Sequence, residues 1–314
     1  MAGTPLTDAI EALTTYSNTV TGASDTTLSE AVATLAAGYG GGGWTADGLA
    51  TNTEPNGIIT LGSNVTAINE YAFYKRPITI ISGENVVTVG QYACAYTNVA
   101  TCRFPNATTI GKEAFRSSQI DTCYLPNVTR IEGDAFKEAK LVQVTDAEFP
   151  ALTSFLGGSF ALNHQLQKVF LSFRGGCDAY VFDGCENLEV VVFPNSHSTG
   201  RYACRNCYKL RAYDTRGNHT AATRVNDHCF INDPLFDTLI YGGNRLPILD
   251  LNAFDGTPFA SNGTGGKLYV RQDMIASFQS AANWSTLLSY PNNQILAIEG
   301  SYYETHYADG TPIT

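Results

Sequence analysis

The densest set of side chains able to ligate a metal is Cys204-x-x-Cys207, followed by His219, His228 and Cys229. Zinc selects paired Cys and His at short spacing, because thiolate and imidazole donors complete a tetrahedral shell. The same cysteines, however, fall on positions that recur along the chain. Cys207 repeats the place of Cys185 one unit earlier, Cys204 stands where other units carry Phe, and Cys229 where they carry Ala. Small buried hydrophobes explain all three. Gly157-Gly158-Ser159-Phe160-Ala161 nearly spells a nucleophile elbow but lacks the closing Gly, and its Ser lies inside a repeated phrase. Gly38-x-Gly40-x-x-Gly43 matches a dinucleotide fingerprint in letters only, since such a turn must follow a strand and open a helix. The five histidines and the scattered Asp and Glu form no set of acid, base and nucleophile. The expectation is a protein without catalysis, cofactor or metal.

Composition narrows the partners. The 314 residues carry a net charge of −10, with 44% hydrophobic and 15% charged residues, against roughly a quarter charged in average globular chains. Nucleic-acid binding needs clustered Lys and Arg, and no such cluster occurs. Met1 to Ala12 has neither a basic nor an apolar signal region, and no run of about eighteen apolar residues is present. No membrane insertion is expected, and the eight cysteines should be reduced thiols.

The elements that must position these residues come from a repeat. One phrase recurs nine times: Ile68-Asn69-Glu70-Tyr71-Ala72-Phe73, Val89-Gly90-Gln91-Tyr92-Ala93-Cys94, Ile110-Gly111-Lys112-Glu113-Ala114-Phe115, Ile131-Glu132-Gly133-Asp134-Ala135-Phe136, and copies ending at Phe160, Phe182, Cys204, Phe230 and Phe254. The closing residues are 21, 21, 21, 24, 22, 22, 26 and 24 apart, one unit with loop insertions. Each unit adds a strand-like alternation, in several units closed by Pro, as in Cys102-Arg103-Phe104-Pro105 and Cys123-Tyr124-Leu125-Pro126. Pro ends the ladder because it has no N–H to donate. A strand this short buries little alone, so neighbouring units must stack. The spacing predicts a solenoid of about nine rungs, one parallel strand plus one turn per rung, with Cys102 and Cys123 on adjacent rungs. The Asn-x-Ser/Thr triplets, such as those at Asn106 and Asn127, read as turn chemistry of the repeat.

Phe182-Asp183-Gly184-Cys185-Glu186-Asn187-Leu188-Glu189-Val190-Val191-Val192-Phe193-Pro194 resembles the unit of the BspA-type bacterial leucine-rich repeats, as does Cys204-Arg205-Asn206-Cys207-Tyr208-Lys209-Leu210. The resemblance spans about residues 58 to 270. It implies the fold, and a role in adhesion, virion or other surface binding; Cys94 and Cys204 depart from it at Phe positions.

At the N-terminus, Ile10, Leu13 and Tyr16 sit at helical spacing, and Thr27 with Glu30 forms a capping box before Leu28, Val32 and Leu35. The expected division is a helical anchoring or oligomerisation hairpin at 1–37, a Gly-rich linker at 38–57, the solenoid at 58–267, and a C-terminal cap and tail at 268–314. The cap is read from Leu268-Tyr269-Val270, then a helical stretch through Phe278 to Leu288 around Asn283-Trp284-Ser285. The opening, Leu6-Thr7-Asp8-Ala9-Ile10 through Thr27-Leu28-Ser29-Glu30-Ala31-Val32 to Gly38-Tyr39-Gly40-Gly41, resembles the N-terminal module of virion-appended proteins of phages and prophages of Gram-positive bacteria.

Strand alternation then nominates a binding face. With Phe104, Leu125, Leu171 and Phe193 inward, the residues before them, Arg103, Tyr124, Phe170 and Val192, point outward. Exposed aromatic and aliphatic side chains beside Arg suit a protein or glycan partner, or else a covering element. The expected function is a non-enzymatic phage virion structural protein: a fibre, tail or capsid-decorating subunit, made in the host cytoplasm and anchored by its N-terminus. Its partners would be other virion proteins and a bacterial surface glycan or protein, and it would be a homo-oligomer, by analogy with fibres a trimer. The alternative is a bacterial surface adhesin built on the same repeats.

Overall fold

The computed structural model describes residues 57–196, 198–217 and 223–313. Short parallel strands stack in two rows along one axis. The longer row contains a four-stranded sheet, Ile58–Thr60, Ile80–Ser82, Thr101–Arg103 and Thr122–Tyr124. It continues as a seven-stranded sheet, Gln143–Thr145, Lys168–Phe170, Val190–Phe193, Ala212–Thr215, Thr238–Tyr241, Lys267–Val270 and Gln294–Ala297. The register follows the repeat: Cys102 pairs with Ile81 behind it and Cys123 ahead, so the two thiols do occupy adjacent rungs.

The unit contains a second strand that the alternation pattern did not reveal. The first residue of each phrase and the residue before it, among them Thr88–Val89, Thr109–Ile110 and Arg130–Ile131, pair with their counterparts in a five-stranded sheet from Ala67–Ile68 to Ser154–Phe155. Two residues are too short for a period to show, but Ile68, Val89, Ile110, Ile131 and Phe155 make a continuous inward column. The following Gly permits the close approach: a Cβ at Gly90 would stand 2.7 Å from the Ile68 carbonyl oxygen.

The third side is a turn ladder. Tyr71 and Lys75, Tyr92 and Tyr96, Glu113 and Ser117, and Asp134 and Glu138 all have φ between 51° and 59°. With this left-handed setting recurring four residues apart in each coil, successive N–H groups reach different partners. Phe115 N donates to Ala135 O of the next coil, whereas Arg116 N donates to Glu113 O of its own turn. The pattern recurs from Phe73 to Asn232. Backbone donors that cannot reach water are thus paired either within a coil or between coils.

All nine closing residues are buried, and eight turns separate the first from the ninth. Phe115, Phe136, Phe160 and Phe182 stack with centroids 5.3, 5.8 and 5.9 Å apart. Each buried ring contributes on the order of 1.5–3 kcal/mol of transfer free energy. Asparagines lace the corners: Asn106 and Asn127 donate to Glu84 O and Pro105 O, each in the preceding coil.

The C-terminal boundary differs from the expectation. Residue 267 opens the strand Lys267–Val270, and Gln294–Ala297 adds one more to the same sheet, so the segment expected to be only cap and tail supplies two further strands. The helical stretch is two short helices, α1 (Ile275–Ser280) and α2 (Ala282–Ser289), broken at Ala281, whose φ −76° and ψ 136° are extended. Trp284, at 1% exposure, donates from its indole Nε1 to Pro247 O at 2.7 Å, and Asn283 Nδ2 donates to Leu249 O. The helices therefore cover the second-row strand Ile248–Leu249. No helix among the described residues is long and apolar enough to cross a membrane.

Candidate functional site

The outward face of the long row divides in two. In its first half the nominated residues stand free: Tyr124 is 48% exposed, and the Arg103 guanidinium lies over its ring at 4.4 Å while reaching Glu84 at 3.2 Å. Arg103 and Tyr124 are register partners, so alternation alone places them side by side.

In the second half the expectation fails. Val192 is wholly buried, as are its register partner Asp214 and the next in line, Ile240. Phe170 is half-buried. The chain's own tail crosses the sheet here. Tyr307 meets Phe170 edge-on at 5.4 Å and Tyr303 meets Tyr269 at 4.7 Å. Lys168 Nζ is 2.6 Å from the Asp309 carboxylate. At the centre Arg216 makes a two-point bond to Asp214, both contacts at 2.7 Å. It also donates to the carbonyl oxygens of Tyr303 and His306. Asp214 in turn accepts from Ala308 N. Burial pushes the Asp214 carboxyl above its ordinary pKa even with Arg216 opposing it. Asp309 is also raised by burial, but Lys168 and Thr311 outweigh that and hold it below its ordinary value.

The turn ladder is a second outward surface, one that sequence reasoning missed. Tyr71 and Tyr92 stack at 5.0 Å, Tyr180 and Tyr202 at 5.1 Å, and His228 continues the second stack at 5.1 Å from Tyr202. The Tyr92 hydroxyl donates to Glu113 at 2.5 Å. That bond first, and burial second, raise the Tyr92 pKa to about 12. Glu113 is pushed up by burial, but bonds from Tyr92 and Arg116 hold it below its ordinary value. The signal was present as a tyrosine recurring two residues before the closing position.

The metal candidates do not assemble. Cys204, Cys207 and Cys229 lie in the core, where burial first, and its neighbouring thiols second, push Cys204 well up and keep it protonated. Cys207 Sγ donates to Phe182 O, as Cys185 Sγ does to Phe160 O one coil earlier. His228 is on the turn surface, and His219 lies outside the described residues. Among the described residues no three His, Cys, Asp or Glu side chains converge on a metal position. Ser159 is buried, its Oγ bonded to Leu156 O. Gly38 to Gly43 and the anchoring residues Ile10, Leu13, Tyr16, Leu28, Val32 and Leu35 lie outside the described residues.

Stacked coils, inward columns and intercoil hydrogen bonds define a parallel-strand solenoid repeat protein. The chain belongs to the BspA type leucine-rich repeat family, six copies of which match over residues 52–143 and 108–236. No curated protein matches it. Among solved structures it is similar to a leucine-rich repeat protein from Bacteroides ovatus, at 13% identity over 77% of this chain and 92% of that one, with a TM-score of 0.39. It is also similar to a leucine rich cell surface protein from Faecalibacterium prausnitzii, at 17% identity over 59% of this chain and 60% of that one, TM-score 0.35. The pneumococcal vaccine antigen PcpA is 13% identical over 77% and 79% of the two chains, TM-score 0.30.

Proposed function

We propose that this chain is a non-enzymatic structural protein of a phage virion, a fibre, tail or capsid-decorating subunit, whose solenoid is displayed to bind a host surface or a neighbouring virion protein. The observation that carries the binding role is the half-open sheet: Arg103 and Tyr124 form a free patch while the chain seals the remainder with its own tail. Apolar and aromatic surface left open where the same molecule covers the equivalent surface elsewhere suits a partner. The N-terminal module resemblance over residues 6–41 supports the virion setting. Family membership favours a second reading, an adhesin on a bacterial cell.

The test is to induce the encoding strain and separate purified particles from cell envelopes, then assay both for the chain by mass spectrometry. Recovery with the particles, lost when residues 1–37 are deleted, supports the virion reading. Recovery with the envelopes alone sinks it in favour of the adhesin.

A further inference from the structure

The turn ladder has a missing rung. At the left-handed position two residues before each of the first eight closing residues the chain carries Tyr71, Tyr92, Glu113, Asp134, then Gly158, then Tyr180, Tyr202 and His228. Gly158 shares the geometry of its neighbours, with φ at 72°, but contributes no side chain. Tyr180 stacks one face on Tyr202. Its other face looks along the axis toward the coil of Gly158, where a cleft of about 440 Å³ opens between Asp134 and Tyr180. Two coil spacings separate those residues, roughly 10 Å; the Asp134 carboxylate leans over Gly158, and a flat ring fits between them once that carboxylate turns aside. The volume falls within the range of small-molecule sites, about 300–1,000 Å³.

The walls select the chemistry. Leu162 lines the cleft with apolar surface, and Tyr180, 39% exposed, borders it with the Arg205 guanidinium 5.6 Å from its ring centre. Two acids and two bases complete the wall, and each is already paired: Lys137 with Asp134 at 3.2 Å, and Arg205 with Asp183 through two contacts, 2.8 and 2.5 Å. Neither cation is left over to hold a phosphate or carboxylate, and neither acid to hold a metal. Paired charges nonetheless offer acceptors and donors side by side, held in fixed positions. A ligand with one C–H-rich face for the tyrosine and a rim of hydroxyls that both donate and accept is matched to that wall; this is a pyranose.

We infer that the cleft at Gly158 binds a neutral saccharide, one sugar ring taking the place of the missing tyrosine in the stack above Tyr180. The site is on the turn ladder, away from the Arg103 and Tyr124 patch, and does not depend on whether the chain serves a virion or a cell.

The experiment is saturation-transfer NMR on the full chain with N-acetylglucosamine, rhamnose and the methyl glycosides of glucose, galactose and mannose as probes. At least one should receive saturation at its ring protons. Gly158→Tyr should abolish that signal by filling the gap. The backbone accepts tyrosine in this setting at positions 71, 92, 180 and 202, and the new Cβ would displace the Asp134 carboxylate from its place beside Lys137. Tyr180→Ala should weaken the affinity about tenfold, the size of one lost stacking contact. The inference is overturned if no probe is saturated, or if the signal survives Gly158→Tyr in a protein that melts as the wild type does. Should Gly158→Tyr fail to fold, Tyr180→Ala decides, and unchanged affinity there overturns it equally.

Discussion

Two stretches of one sheet face, built from the same strand position in successive coils, meet opposite fates. Over the coils of Arg103 and Tyr124 that face is open, whereas over those of Val192, Asp214 and Ile240 it is as dry as the core. Strand alternation is the same in both, since each of these residues follows an inward Cys, Val, Tyr or Leu. The difference comes from residues 303 to 309, of which Tyr303, His306 and Ala308 lie 87 to 94 positions beyond the arginine and aspartate that hold them. Alternation decides which way a side chain points; a distant segment decides whether it meets water.

The sharpest way to break the contrast is Arg216→Ala. It leaves Asp214 buried without its cation and frees two tail carbonyls, so a loss of about 3–5 kcal/mol is expected. Urea unfolding should report it, and limited proteolysis should cut within residues 301–313. A wild-type digestion pattern would show that the aromatic contacts and the Lys168–Asp309 pair hold the tail without Arg216.

Next in size is Phe170→Asp. A carboxylate placed under Tyr307 should cost about 2–4 kcal/mol, read from the same unfolding curves. Any value near zero would mean the tail rides loosely on the sheet.

A smaller effect tests a parallel contrast in the interior. Three residues past the closing position, one coil carries Asn163, whose amide donates to Phe136 O and Phe160 O, and another carries Asp233, buried with one carboxylate oxygen unpartnered. Burial first, and Cys207 second, push the Asp233 pKa well above its ordinary 3.8, although the Cys207 N–H pulls the other way. The folded chain therefore holds a proton that the unfolded chain releases. This contribution is complete below the ordinary carboxylate value and is lost as pH rises through the raised folded one. Asp233→Asn should remove that slope and gain about 1 kcal/mol near neutral pH, measured as melting temperature against pH. An unchanged slope would assign the pH dependence to other groups.

Least of all should be Tyr124→Asp, within about 0.5 kcal/mol of wild type by thermal melting, because its ring already faces water. If it destabilises as much as Phe170→Asp, the open half is also covered and the contrast is false.

Nearly all of the coil architecture was legible in the sequence, since a phrase recurring every 21 residues reports a contact that every coil makes with the next. Tyr124 and Arg103 were legible for the same reason. Val192 was not, because its cover is supplied by Tyr303 to Asp309, which occur once and have no period. The second strand escaped because Thr109–Ile110 is too short to alternate. The tyrosine stack escaped because left-handed turns line up residues at the repeat length, so Tyr71 meets Tyr92 and not a neighbour in sequence. Gly158 is informative only against that stack.

The tail clamp also bears on the order of folding. Coils close contacts over 21 to 26 residues, whereas Arg216 must wait for Tyr303 and His306. Local contacts form sooner than distant ones, and the tail leaves the ribosome after every strand it covers. During synthesis the flank of Val192 and Ile240 is bare, and the side chains that will shield it do not yet exist. A ribosome stalled near residue 300 would hold a nascent chain with stacked coils and a sticky side, the state in which a chaperone has most to do.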